Sequence, residues 1–363
     1  MHHDQNHTRA SVRTAAMDPR RIASTTPTAL TPTSALRRAL PRMLAGLVLA
    51  VLVASALALF ADVRSLGTAL ERFSWWLLVP VIALTLVNYA LRWVKWHVYL
   101  RVVGVPRISF IESVLAFLSA FSMAITPGKA GEIIKAVHVH RLTTSPVSRI
   151  AAVIAAERIT DGLAMIGLAA IGFLQFSEGR LVMAAAAILG IVAVLLFRHP
   201  TLLHATTRRL ADVPRIGPLI TAVSHHIEGF LDASNRLYAP KLVTGSVLLG
   251  VVSWFAECVA LFIILTGLGL EPSWTLLLVS TFVLSVSSVL GALSMLPGGL
   301  GVAEASVAGL LLLLIDDPAF ARADAAAATL LIRFATLWFG VLLGMLALLV
   351  LQRRGRPATM SAR

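Results

Sequence analysis

Residues 122–132 read SMAITPGKAGE and residues 294–304 read SMLPGGLGVAE. Each holds a Pro-Gly-x-x-Gly core, Pro127-Gly128-Lys129-Ala130-Gly131 and Pro297-Gly298-Gly299-Leu300-Gly301, and each is followed closely by a glutamate, Glu132 or Glu304. Proline and glycine end a helix, so both stretches break a long apolar run partway along. A break at membrane depth frees backbone groups that lipid cannot satisfy, and it is tolerated only where protein or water satisfies them. The pair therefore reads as the tips of two helical hairpins, and the rest of the chain has to be fitted around them.

Composition places the chain in a membrane. Its 363 residues are 58% hydrophobic and 13% charged, with a mean hydropathy of +0.84, beyond the range of an ordinary soluble domain. Residues 43–60 are 18 uncharged residues, roughly 27 Å of helix and close to one hydrocarbon thickness, and read as a retained anchor behind a disordered tail, 1–41. Further apolar segments follow at 75–91, 109–126, 148–174, 181–197, 242–270, 274–296, 302–315 and 333–351, with a short helix over 132–140. Trp75-Trp76 suits one headgroup level, and Arg92-Trp93-Val94-Lys95-Trp96 reads as the opposite interface. Residues 198–241 interleave six cations with apolar residues and predict an interfacial amphipathic pair of helices. Residues 352–363 form a basic tail.

The net charge of +13 reports orientation. If each Pro-Gly break is a hairpin tip that returns to its side of origin, the amino tail, 92–107, 135–149, 198–241 and the carboxyl tail share one side. That side holds 24 of the 31 cations, and the opposite side holds only Arg64, Arg72, Arg180 and Arg322. The positive-inside rule makes the first side cytoplasmic, with both termini inside. Reading either break as a single crossing would destroy the split. Repeat one (75–174) and repeat two (242–351) then run in opposite senses within a domain spanning 42–351, an inverted-topology repeat in an all-α polytopic protein whose hairpins are re-entrant.

Eight ionisable residues fall at membrane depth: Lys129, Glu132, Glu157, Arg158, Asp161, Glu257, Glu304 and Arg333. Each costs about 2.5–3.5 kcal/mol at a helix centre, so they should face one another or a wet cavity. Glu157, Arg158 and Asp161 share a helix at i, i+1 and i+4, which suits an internal ion-pair cluster or a headgroup site. The tips would aim helix N-termini at the midplane, where phosphate or carboxylate is favoured. Three cations against five acids give a net charge of −2, so some acids must pair, protonate or face elsewhere, and Glu132, Glu157 and Glu304 are open to proton coupling. Glu257 is open between a lone interhelix acid and a functional one.

Other chemistries lack their residues. No phosphate-binding loop, dinucleotide fingerprint or nucleophile elbow occurs, and the basic residues border apolar segments, which argues against nucleic acid. Cys258 has no disulfide partner in the chain. His138 and His140 point to different helix faces, and the terminal His2, His3 and His7 and the pair His225-His226 carry no metal-ligand spacing. No cofactor, metal or catalytic residue is expected.

Asn88-Tyr89-x-x-Arg92-Trp93, the first Pro-Gly motif with Glu132, Glu157-Arg158-x-x-Asp161, and the second motif with Glu304 and Arg333 together resemble the lysylphosphatidylglycerol synthase transmembrane family, over roughly residues 42–351. The resemblance implies a multi-pass protein of the bacterial inner membrane with a flippase-like domain that moves a lipid or lipid-linked headgroup between leaflets. It implies a central site lined by Lys129, Glu132, Arg158, Asp161, Glu304 and Arg333, to which the helical spacing adds Glu157. Twelve residues follow Leu351, whereas the fused synthases need a soluble aminoacyltransferase domain, so synthase activity is not expected. The partners expected are membrane lipids; the alternative reading is a non-transporting partner of an envelope glycosyltransferase or aminoacyltransferase. Oligomeric state is left open.

Overall fold

The computed structural model describes residues 32–126, 131–172, 180–198 and 228–354, and among them every regular element is helical. The chain divides at Leu40: of Met1–Leu40 only the start of the first helix is described, and Pro41–Arg363 holds the helical bundle. Helix α1 (Pro32–Ala61) and the short α2 (Val63–Arg72) lead into the first group of helices. That group is α3 (Leu78–Val102), α4 (Phe110–Ser119) continued by a 3-10 turn over Ala120–Met123, α5 (Gly131–Thr143) and α6 (Val147–Gly172). After α7 (Arg180–Arg198) and α8, described over 228–237, come α9 (Pro240–Gly267), α10 (Trp274–Leu293), α11 (Val302–Leu314) and α12 (Arg322–Arg333). A π-helical turn over Phe334–Trp338 joins α12 to α13 (Phe339–Arg354).

Six described helical stretches are long and apolar enough to cross a membrane, and the chain is an all-α polytopic membrane protein. Helix α6 has the length, 26 residues, but carries Glu157, Arg158 and Asp161 at its centre. The sequence places the last apolar span at 333–351, yet the helix starts at Arg322 and Arg333 lies in its middle. Likewise, helix α3 does not end at the 92–96 aromatic-cationic run; it continues to Val102, and Arg92, Lys95 and Trp96 are buried. The tail predicted over 1–41 gives way to helix at Pro32. Residues 1–31, the first tip Pro127-Gly128-Lys129-Ala130 and most of the basic 198–241 segment, including His225-His226, lie outside the described residues.

Helices α4 and α10 start alike, and α3 and α9 end alike. Ser109 and Glu112 cap each other's backbone N–H at the start of α4, and Ser273 accepts the Leu276 N–H at the start of α10. Helix α3 ends at Gly104 and α9 at Gly269, both at positive φ (76° and 107°). There the next residue's N–H reaches back to Leu100 O at 2.9 Å and to Leu265 O at 3.3 Å, the closure that favours glycine after a helix. Packing between the groups is reciprocal: α3 lies on α9, α4 on α13 and α10 on α6. In apolar surroundings such contacts rest on small residues and polar clamps. A Cβ on Gly250 would sit 2.9 Å from the Ala164 methyl, while Asn88 Nδ2 donates to Ser253 O at 2.9 Å and Ser253 Oγ donates to Asn88 O at 3.2 Å.

The loops gather into two sets. Arg72 pairs with Asp324 at 2.9 Å, Arg322 covers Phe60, and Gly267 abuts Phe73 and Leu77, which brings the connections at 61–74, 268–273 and 315–321 to one end. At the other, Arg198 donates to Asn235 at 2.6 Å, Phe197 stacks on Tyr238 and Gly229 faces Ser148. The second tip lies against the first hairpin: a Cβ on Gly298 would stand 3.5 Å from Ala124 O, and Ile125 and Leu300 share a core cluster with Ala50 of α1.

Candidate functional site

The charges of α6 divide by direction. Glu157 and Asp161, one turn apart, face α3 and α5, whereas Arg158 turns toward the space between the two groups of helices. Glu157 Oε2 accepts from Lys135 Nζ at 2.6 Å, and its Oε1 lies 3.8 Å from Arg92 Nη2. Asp161 pairs with Lys95 and holds Oδ2 3.4 Å from Arg92 Nε. Lys135 Nζ also sits 3.8 Å from the centre of the Trp96 ring, and Lys95 Nζ donates to Thr160 Oγ1 at 3.4 Å. All five charged groups are buried, and such a network is tolerable only because each charge meets an opposite one.

This arrangement corrects the sequence reading on three cations. Arg92, Lys95 and Lys135 were assigned to cytoplasmic loops and are instead buried in the bundle. The net charge of −2 at depth is overturned with them. Three more cations at depth turn three against five into six (Arg92, Lys95, Lys129, Lys135, Arg158 and Arg333) against five acids (Glu132, Glu157, Asp161, Glu257 and Glu304); of the cations, Lys129 lies outside the described residues. Sequence gave one usable clue, the i, i+3 spacing of Arg92 and Lys95 on one face of α3. Nothing in it showed that their partners lay on another helix.

Arg158 pairs with Glu132 near the start of α5. The second group repeats this scheme: Arg333 Nε donates to Glu304 Oε1 at 2.5 Å, and Arg333 Nη2 donates to Gly298 O at 2.8 Å. Glu304 Oε2 in turn accepts the Gly301 N–H at 2.7 Å. The N-terminus of α11, read from sequence as a docking point for an external anion, is thus occupied at Gly301 by its own carboxylate. Glu304 fixes the tip and aims Arg333.

Between the groups lies a cavity of about 260 Å³, lined by Arg92, Arg158 and Arg333, by Glu132 and Glu257, and by Tyr89, Ser287 and Ser288, with Gly298 and Gly299 of the second tip among its walls. Arg158 keeps 38% of its side-chain surface accessible and Arg333 18%, so both guanidiniums still present donors to this space. Arg92 Nε, Arg158 Nε and Ser287 Oγ have no hydrogen-bond partner among the described residues. Arg92 is held with its guanidinium 5.2 Å from the Trp254 ring centre. Tyr89 Oη donates to Thr336 O at 2.5 Å, a carbonyl in the π turn after Arg333; such turns recur at functional sites.

Of the binding residues nominated from sequence, Glu132, Arg158 and Arg333 line the cavity. Glu157 and Asp161 stand behind Arg92 and orient it, and Glu304 stands behind Arg333. Lys129 lies outside the described residues, as do Pro127 and Gly128 of the first tip, while Gly131 begins α5. Pro297, Gly298 and Gly299 form a one-turn helix, and Gly301 precedes α11. Arg92, Glu257, Tyr89 and Ser287 are cavity residues not nominated from sequence. No group of three or more metal-ligating side chains occurs among the described residues.

Two relatives share most of this chain. A UPF0104 membrane protein of Methanothermobacter thermautotrophicus is 22% identical over 276 residues, covering 72% of this chain and 80% of the relative. Glycosyltransferase AglD of Haloferax volcanii is 25% identical over 294 residues, again 72% of this chain, but the match covers 47% of AglD, about half its length. The family model described as the lysylphosphatidylglycerol synthase TM region matches residues 43–344, a stretch that contains both Pro-Gly tips and every residue of the cavity, and the chain belongs to that family.

Proposed function

We propose that this protein is a flippase-like lipid translocator that carries an anionic phospholipid or lipid-linked headgroup between the leaflets of the bacterial cytoplasmic (inner) membrane. The observation that carries this reading is the convergence of Arg92, Arg158 and Arg333 on one cavity between the two groups of helices. A guanidinium recognises phosphate through paired N–H donors, and although each of the three has an acidic partner, Arg158 and Arg333 keep part of their side chains accessible to the cavity. The cavity's volume, about 260 Å³, is below the roughly 300–1,000 Å³ of drug-sized pockets. It suits a headgroup whose acyl tails remain in lipid.

In this reading residues 75–174 and 242–351 form an inverted repeat with re-entrant hairpins, and both termini are cytoplasmic. Support comes from the reciprocal packing, the matching Gly104 and Gly269 closures, and a second tip whose Gly298 lies against Ala124 of the first group. Helices α5 and α11 have 13 residues each, about 20 Å, short of the roughly 30 Å hydrocarbon core. Rocking of one repeat against the other would open the cavity to each leaflet in turn. The reading contains no bond-breaking step and assigns no catalytic residue.

A dithionite-quench assay in proteoliposomes holding NBD-labelled phosphatidylglycerol tests it. Arg158→Ala and Arg333→Ala should each slow translocation roughly 10- to 100-fold, the equivalent of losing a charged hydrogen bond worth about 1.5–3 kcal/mol. Undiminished rates in both variants would remove these arginines from headgroup recognition.

A further inference from the structure

One buried acid around the cavity differs from the others named at depth. Glu132, Glu157, Asp161 and Glu304 each have a cationic partner at contact distance. Glu257, on α9, is 5% exposed and lines the cavity, and it has no ion pair or hydrogen bond to any described residue. A carboxylate buried without a partner is costly. Its surroundings can be named helix by helix. Helix α3 presents Tyr89 and Arg92, with Lys95 turned to Asp161; α6 presents Arg158, with Glu157 and Asp161 behind Arg92; α12 ends in Arg333, its Asp324 being engaged with Arg72. Helix α10 offers only hydroxyls, Ser285, Ser287 and Ser288, and the turn at Trp75–Leu77 offers no charge. On α9 itself the other titratable groups are Cys258, also buried, and Lys241 at the start of the helix.

We propose that Glu257 is the proton-binding group of the cavity and takes up one proton when an anionic headgroup occupies it. The inference rests on the reading of the cavity as a headgroup site and deepens it. Among the described residues the cavity is lined by the cations Arg92, Arg158 and Arg333 and the acids Glu132 and Glu257, and Glu132 is paired with Arg158, so a proton on Glu257 removes the one unpaired negative charge beside a seated phosphodiester. A phosphate seated among Arg92, Arg158 and Arg333 brings a negative charge beside Glu257 and takes up the field of the arginines that favours its ionised form. The proton comes from bulk water and adds to a carboxylate oxygen, and no covalent bond of the lipid changes. Linkage makes the effect mutual: the headgroup strengthens proton binding, and the proton strengthens headgroup binding. Headgroup and proton then travel as a neutral pair, so a transmembrane pH gradient biases the direction of transport.

Isothermal titration calorimetry on the full chain in detergent tests this, with dihexanoyl phosphatidylglycerol as the probe and dihexanoyl glycerol, which lacks the phosphate, as the blank. Titrations at one pH in two buffers of different ionisation enthalpy report the proton count. The wild type should take up about one proton per bound lipid, and its affinity should fall about tenfold per pH unit once Glu257 is ionised, as linkage to a single proton requires. Glu257→Gln should bind the probe with heats independent of buffer. Binding with no proton uptake in the wild type overturns the role of Glu257 and leaves the headgroup site standing. Unchanged uptake in Glu257→Gln likewise overturns it. Failure of the wild type to bind the probe overturns the headgroup site, and this inference with it. If Glu257→Gln does not fold, the buffer and pH series on the wild type decides alone, since affinity without pH dependence overturns the proposal.

Discussion

Lys135 shows how far a single residue can mislead. From sequence it is a loop cation counted toward orientation, eight residues beyond a Pro-Gly break. In the fold its ammonium is enclosed by Glu157 and by the rings of Trp96 and Phe117. Removing one member of a buried pair leaves the other charge uncompensated, at about 3–5 kcal/mol, whereas replacing both by groups of similar shape costs far less. Lys135→Ala should therefore lower the melting temperature in detergent markedly, and the double variant Lys135→Met with Glu157→Gln should lower it less than Lys135→Ala alone. Equal losses would show that the pair is not an energetic unit. Glu157 and Asp161 were legible as charges that had to be matched; what matched them was not, because a cation's position along one helix does not tell which neighbouring helix it meets.

At the scale of elements, each predicted apolar run overlaps an observed helical stretch, and the differences are the unpredicted helix α2 (Val63–Arg72) and the positions of ends and breaks. Helix α3 runs past Arg92 because acids on α6 satisfy its cations, a tertiary effect that hydropathy cannot register. The last helix begins at Arg322 because Asp324 caps it, accepting the Ala321 N–H at 2.9 Å while pairing with Arg72. Close helix contacts make separate demands. A Cβ on Gly344 of α13 would strike the backbone of Phe121 and Ser122, atoms that cannot move aside, whereas one on Gly309 of α11 meets nothing within 4 Å. Gly344→Ala should destabilise by about 1–3 kcal/mol through overpacking, and Gly309→Ala should stabilise by about 0.5–1 kcal/mol through helix propensity. Thermal denaturation of the two variants side by side checks this, and an unperturbed Gly344→Ala would mean that α13 does not lie this close to the turn after α4.

For the whole molecule, the consequence of burying Arg92, Lys95 and Lys135 is that 21 cations remain in the segments assigned to one side, still against 4 on the other. The orientation argument survives the loss because the reassigned residues belong to neither side. The described contacts bring 61–74, 268–273 and 315–321 to one end and Ser148, Arg198 and 229–238 to the other, and the sidedness proposed for these ends is directly measurable. Cys258 is 2% exposed, so added thiols can be read against a quiet background. With a membrane-impermeant maleimide, Pro318→Cys should label from outside intact cells and Thr143→Cys only after the membrane is opened. The reverse pattern would remove the proposed inverted topology, and labelling of both from outside would rule out the return of the first hairpin to its own side.

The sequence by itself determined that this is an all-helical membrane protein, where its helices run and where two of them break, because hydropathy, proline and glycine act locally along the chain. It also singled out Arg158 and Arg333 with the glutamates that hold them, since charge at membrane depth is costly wherever it falls. Only the tertiary structure decided which charges cancel and which remain. The pairings of Arg92, Lys95 and Lys135 with Glu157 and Asp161 cross between helices, as does the gathering of three guanidiniums and the unpaired Glu257 around one cavity. Electrostatic compensation depends on distance in space, and a distance between helices is not written in the residues of either one.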